Sequence, residues 1–466
     1  MRPIGAHSGE RTAPAPPAAA GPSCRRRAML LHGPAAGAMA AAAAAAAGCQ
    51  SPGGDRQPAP ATGGPATVKV LIFSNPTFTN VQNELVGALG QVDPQVKVDY
   101  TLFPGQINEF RIKMVAMYAG GDIPDAQWVH TSITPLIGSK KLLRPLEEFA
   151  RKDRAAPLSE FYPGVLDYFR WRDAQYALPW YSNGYSLVFN TALLERLGVV
   201  APDRLEKDGR WTWDGFVATV RGATRGTPGS PDRTIGLQPI STSLDVICSW
   251  IWQNGGDVFP KDARKCVINE PPAVEALERY AELYLRYQAV NFGGPTTQDF
   301  PGGFLSGRVG VRYAGKGDTE AEEAAGLPLG MAPSPKGKAG RVNRMGPLGF
   351  GLAAGAPNGD AGWRWVRFVS GPQAASILLE RRSTLPVRPR FAQLPEFARS
   401  MLPWESKEVW LESQATARAL SYPASYNDIG ALWNTTWADV LAQKGTVKSL
   451  LDDFARQANA MIAQDG

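Results

Sequence analysis

The chain has 466 residues, 44% of them hydrophobic and 20% charged, which is apolar material for more than one core and a length well above the single-domain norm. Its 49 basic and 43 acidic residues are interspersed, so the formal charge of +6 marks no nucleic-acid surface and no nucleic-acid partner is expected. The only histidines are His7, His32 and His130, so a Ser-His-Asp triad, a His-paired thiol or a multi-histidine metal site would rest on a single residue beyond the N-terminal segment; neither a metal nor a cofactor is expected.

From residue 25 the chain reads RRRAMLLHGPAAGAM, then a run of alanines, Gly48 and Cys49. A cationic start, a weakly apolar middle and small residues at the end make the layout of an export signal. A permanent span would need about 20 strongly apolar residues, whereas this stretch holds His32 and Pro34. The Pro- and Gly-rich segment that follows Cys49 cannot build a core and reads as a flexible tether. Signal, cysteine and tether in this order resemble a bacterial lipoprotein signal, which implies lipidation of Cys49 and a membrane anchor. Such signals carry Leu where this chain has Ala46. Arg26 and Arg27 also resemble a twin-arginine export signal. The expected boundaries are 1–48 for the signal and 49–66 for the tether. In an oxidising compartment Cys248 and Cys266 can join as a disulfide or stay as two buried thiols.

Beyond the tether, TVKVLIFS (67–74) is a β-branched run suited to a buried strand, and FTNVQNELVGAL has helical spacing up to Pro94. VKVDYTLF (96–103) alternates as a second strand, INEFRIKMVAMYAGG is a helix closed by Gly120 and Gly121, and DIPDAQWVH leads into a third strand. Alternating strands and helices predict an α/β fold with a mainly parallel sheet, whose ligands bind at the carboxyl ends of the strands. Further on, Thr212 suits a helix N-cap, and Trp363, Val366 and Val369 share one side of a helix stopped by Gly371 and Pro372. NEPPAVEALERYAELYLRY (269–287) opens on helix-starting prolines and packs into a core. The glycines of GPLGFGLAAG and PGGFLSGRVG lack the Gly-Lys-Ser/Thr ending of a phosphate loop.

In order, GDIPDAQWVH, LIGSKKLLRPLEEF, QYALPWYSNGYSLVFNTALLERLGV, WTWDGFVATV, WIWQNGGDVF, FLSGRVGVRYAGKGD, LPLGMAPSPKGKAG, GPLGFGLAAGAPNGDAGWRWVRFVSGPQAA and STLPVRP resemble the extracellular solute-binding proteins of sugar-type ABC importers. The resemblance runs from Val68 nearly to the C-terminus. It implies a two-lobe periplasmic-binding-protein-like fold (type II), with a ligand cleft between lobes that close by hinge motion, no chemistry on the ligand, delivery to ABC permease subunits, and a monomer. Carried over to this chain, it places crossings near Tyr176–Tyr181, Arg344–Gly346 and Ser383–Pro386. Lobe one is then 67–180 plus 346–382, and lobe two is 181–345 plus 383–466.

Sugars offer flat apolar faces edged by hydroxyls, which suit aromatic platforms beside carboxylate, amide and guanidinium groups. The segments that line the cleft in the family supply Trp128, Trp180, Tyr181, Asn183, Tyr313, Gly315, Lys316, Tyr426 and Asn427 as candidate ligand contacts, with Asp245 as a hydroxyl acceptor. Trp250, Trp363, Trp365 and Trp437 are assigned to core packing, and His130 to a hydrogen-bonded loop. The rival class is an exported glycoside hydrolase, which needs a pair of carboxylates that no spacing here nominates. An envelope scaffold would show repeats or stalks, and none is present.

Overall fold

The computed structural model describes residues 65–74, 76–290 and 303–465. The signal segment, Cys49 and nearly all of the tether lie outside the described residues. Among the described residues ten strands run in chain order: β1 (Ala66–Ser74), β2 (Val96–Pro104), β3 (Ala126–His130), β4 (Arg170–Trp171), β5 (Ala174–Gln175), β6 (Leu178–Asn190), β7 (Ile235–Gln238), β8 (Val309–Gly315), β9 (Leu329–Ala332) and β10 (Met345–Leu352). The main sheet has the order β2-β1-β3-β10-β6-β8-β7, with β9 also on β6, while β4 and β5 form a separate hairpin. β1 is parallel to β2 and β3, and β7 is parallel to β8. β10 and β6 insert antiparallel between these two sets.

β6 makes two halves from one sheet. Its first part, Leu178 to Gly184, pairs with β10, and its second, Tyr185 to Asn190, pairs with β8 and β9. The run is apolar enough to be buried from end to end, with Asn183 and Tyr185 as its half-buried exceptions. A core has formed on each side of this break. The first gathers Val70, Phe110, Trp128, Trp180, Phe350 and Trp365. The second gathers Phe189, Phe216, Trp250, Tyr280, Tyr313 and Trp433. The helices read from sequence fall where expected: Ile107–Ala119 ends at Gly120, and Trp213–Ala223 is capped by the Thr212 hydroxyl, which accepts the Gly215 N–H. Trp363, Val366 and Val369 are all buried on the Gly359–Val369 helix.

β6 changes partner at Gly184 and Tyr185, past the expected Tyr176–Tyr181, and the last connection between the halves also differs from expectation. Leu385, Val387, Phe391, Phe397 and Trp410 pack into the first core, Trp404 touches both halves, and from Leu420 onward the chain lies in the second core. The third crossing is therefore at residues 416–420, where Ala417 bridges Asn343 and the Arg418 N–H donates to the Asn343 carbonyl at 2.9 Å. The segment Ser383–Pro386 touches the hinge without crossing it: the Leu385 N–H donates to the Ser182 carbonyl at 2.9 Å, and the chain turns back. Cys248 and Cys266 are free buried thiols, which settles the cysteine alternatives against a disulfide. The Cys248 thiol donates to the Asp245 carbonyl at 3.2 Å, and burial pushes both thiols up, Cys266 to about 12. Among the described residues no helix is long and apolar enough to cross a membrane.

Candidate functional site

The three crossings bring side chains of both halves to one place. Arg344, one residue ahead of β10, pairs through its guanidinium with Asp245 at 2.8 Å. Asp245 lies in the first turn of the Leu244–Gln253 helix, where a carboxylate also suits the helix dipole. The same guanidinium sits 5.0 Å over the ring of Tyr185, just past the break in β6. Tyr168, from the first core, accepts the Met345 N–H at 2.7 Å and donates to the Arg418 carbonyl at 2.8 Å, tying together the second and third crossings. Tyr422 and Tyr426 meet edge to face, with centroids 4.5 Å apart, beyond the third crossing. His130 closes β3; its Nδ1 accepts the Ser132 N–H at 3.2 Å and lies 2.8 Å from the Ser132 hydroxyl.

Electrostatics unite these groups. Burial lowers His130 to about 4, against the pull of Asp245, so the ring is neutral at physiological pH. Burial alone would raise Asp245; Arg344 and the Ser243 hydroxyl outweigh it and hold the carboxyl below its usual range. Burial raises Tyr168, Tyr422 and Tyr426, with the Asp245 charge adding to it. The cluster is thus one ion pair among neutral hydroxyls and an imidazole. Its charged side chains keep some access to solvent, 22% for Asp245 and 14% for Arg344. Such a set can accept and donate hydrogen bonds to vicinal hydroxyls while aromatic rings cover their apolar faces. A glycosidase acid needs a raised carboxyl, and Asp245 is shifted the opposite way.

Next to this cluster lies a second group built on the crossing strand. Asn183 Oδ1 accepts the Gly317 N–H at 3.2 Å, and Gly315 packs so closely that a Cβ there would lie 2.4 Å from Asn183 Nδ2. Tyr181 and Ser383 both border Gly317. A cavity of about 690 Å³ adjoins the cluster, lined by Trp171, Arg172, Arg264, Arg418, Tyr422 and Asp465 among others. Tyr422 belongs to both.

Of the residues nominated from sequence, Asp245 and Tyr426 fall in the Arg344 cluster, and Tyr181, Asn183 and Gly315 fall beside it. Asn427 is half-buried in the first turn of the Tyr426–Leu441 helix. Four nominated side chains lie elsewhere. Trp128 is stacked on Phe73 at 5.1 Å and meets Phe110 edge to face, inside the first core. Trp180 packs against Phe350 at 5.5 Å in the same core. Tyr313 abuts Trp250 in the second core and donates to Ser334 at 3.0 Å. Lys316 is fully buried, with its ammonium on Glu405 at 2.7 Å and on the Ser400 carbonyl at 3.0 Å. The expectation that strand ends and crossings are open positions fails here because neighbouring side chains cover them: Phe73 and Phe110 at Trp128, Phe350 at Trp180, Trp250 at Tyr313 and Glu405 at Lys316. Arg344, Tyr168, Tyr185 and Tyr422 were not nominated. Arg344 was legible only as a charge just ahead of a buried strand, in RVNRMGPLGF, and Tyr422 as a second tyrosine in SYPASYN.

Residues 75–376 match the family described as bacterial extracellular solute-binding protein. Among solved structures, an ABC substrate-binding protein from Listeria monocytogenes in complex with cycloalternan aligns with a TM-score of 0.71 at 20% identity, covering 85% of this chain and 99% of that one. The sugar-binding protein MalE from Xanthomonas citri aligns at 0.72 and 16% identity, over 86% and 98%. UgpB from Mycobacterium tuberculosis in complex with glycerophosphocholine aligns at 0.69 and 16% identity, over 86% and 99%. Among curated proteins no sequence match is found.

Proposed function

Because the chain belongs to the bacterial extracellular solute-binding proteins, we propose that it captures an uncharged sugar or sugar-like polyol between its two lobes and delivers it to the permease subunits of an ABC importer. The observation that carries this reading is the Asp245–Arg344 pair, set among Tyr168, Tyr185, Tyr422 and Tyr426 where the three crossings meet. A carboxylate that accepts and a guanidinium that donates serve adjacent hydroxyls, and their charges cancel, which suits a neutral solute. His130 adds an uncharged ring, and Tyr181, Asn183 and Gly317 extend the polar floor along the crossing strand. Two of the similar structures hold cycloalternan and glycerophosphocholine, and the third is a sugar-binding protein.

The protein is exported, as its family is. We assign the membrane attachment to lipidation of Cys49, and we assign the protein no catalytic activity. The test is a thermal-shift and calorimetric screen of the mature protein against mono- and oligosaccharides and polyols. One or more should raise Tm and bind without being turned over. Arg344→Met should lower the affinity of that solute by roughly 100-fold, since a charge-assisted hydrogen bond contributes about 1.5–3 kcal/mol. Hydrolysis of the solute by pure protein, or an Arg344→Met variant with unchanged affinity, would overturn the reading.

A further inference from the structure

Lys316 was expected at the ligand and is instead sealed inside the protein. Its partner, Glu405, is just as fully buried. Glu405 is held on the side of the first lobe: its carboxylate accepts the Leu402 N–H at 2.8 Å and the Trp410 Nε1–H at 3.2 Å, and Trp410 lies in the first core. Lys316 belongs to the second lobe, as it directly follows β8, whose Gly315 pairs with Tyr185 beyond the break in β6. The ion pair therefore joins the two lobes.

A second pair does the same a short way along the chain. Arg341, whose side chain is 5% exposed, hydrogen-bonds the Ser334 carbonyl and pairs with Glu206 at 2.7 Å, all within the second lobe. Its remaining nitrogen pairs with Glu412, two residues after Trp410. Glu405 lies two residues before the Lys407–Ala415 helix and Glu412 within it; the helix leads straight into the third crossing and is fixed to the first lobe by Gln414, whose amide donates to the Pro386 carbonyl at 2.7 Å and accepts the Ser182 hydroxyl at 3.0 Å.

We propose that Lys316–Glu405 and Arg341–Glu412 form a two-point latch, in which cations of the second lobe grip the first at the Lys407–Ala415 helix and the turn just before it, and so set the separation of the lobes. Buried ion pairs contribute little net stability compared with apolar groups of similar volume, because desolvation offsets their attraction. What they supply is geometry. Wide opening about the third crossing moves Glu405 and Glu412 away from their cations, so the latch opposes it. Lys316 and Arg341 are positioning residues: they influence solute capture through the hinge and touch no solute.

The test needs no ligand, and it rests only on the two-lobe reading, so its failure is distinct from failure of the carbohydrate assignment. Lys316→Met together with Glu405→Met removes the pair without stranding a charge, and Glu412→Gln weakens the second, half-exposed contact. Ligand-free wild type and variants are compared by small-angle scattering and by hydrogen exchange. In the double variant the radius of gyration should rise, and the amides of Asn343 and Arg418, which bond across the third crossing, should exchange at least about tenfold faster while β1 and β2 keep their protection. Glu412→Gln should shift the same amides in the same direction. A merely structural pair lowers Tm and raises exchange throughout the first core. An unchanged radius of gyration, or crossing amides no faster than those of β1 and β2, overturns the latch.

Discussion

Arg344 and Trp128 show how far a residue's chemistry depends on its neighbours. A tryptophan near a strand end is an obvious sugar platform, yet Trp128 is stacked on Phe73 and set perpendicular to Phe110, with 2% of its surface exposed. Trp128→Ala should therefore cost about 3–5 kcal/mol of stability, read as a fall in denaturation midpoint, rather than act chiefly on ligand affinity. A variant of wild-type stability with lost binding would return Trp128 to the cleft. Lys316 carries the same lesson, since its charge is spent on Glu405. Asp245 is the nominated acid that kept a charged, partly exposed position. It lies in the first turn of a helix, where a carboxylate can be both dipole-stabilised and partly solvent-facing.

Among elements, β6 and the β8 turn organise the site. The sequence LPWYSNGYSLVFN reads as one buried strand, and it is one; what changes halfway is the partner, from β10 to β8 and β9. Gly184 at the break leaves room for Leu385, whose Cδ1 would be 2.2 Å from a Cβ there, and this is how Ser383–Pro386 reaches the hinge without crossing. Gly315 at the end of β8 leaves room for Asn183. Gly315→Ala should cost about 1 kcal/mol or less in stability, because the obstructing atom ends a side chain that can turn away. It should weaken solute binding about fivefold by breaking the Asn183–Gly317 hydrogen bond and shifting the turn. Calorimetric titration against the solute found by screening checks this, and wild-type affinity would exclude the turn from the site.

For the whole molecule, the shared sheet sets cooperativity. β6 and β10 belong to both halves or to their junction, and the Lys407–Ala415 helix is tied to each half, so neither core can unfold without exposing strand edges and buried charges of the other. A single calorimetric unfolding transition is expected, with van't Hoff and calorimetric enthalpies in agreement. Two resolved transitions would mean that the lobes are energetically independent. The alternation of strands and helices, the two-core content, the caps at Thr212 and Gly120 and the family motifs from Val68 onward were legible in the one-dimensional pattern, because each depends on residues close in sequence. The third crossing, the Asp245–Arg344 pair, the burial of Trp128 and Lys316 and the separation of Cys248 from Cys266 were decided only in three dimensions. Each depends on which of two similar cores an apolar segment enters and which charge lies opposite, and such long-range pairings leave no periodic trace in the chain.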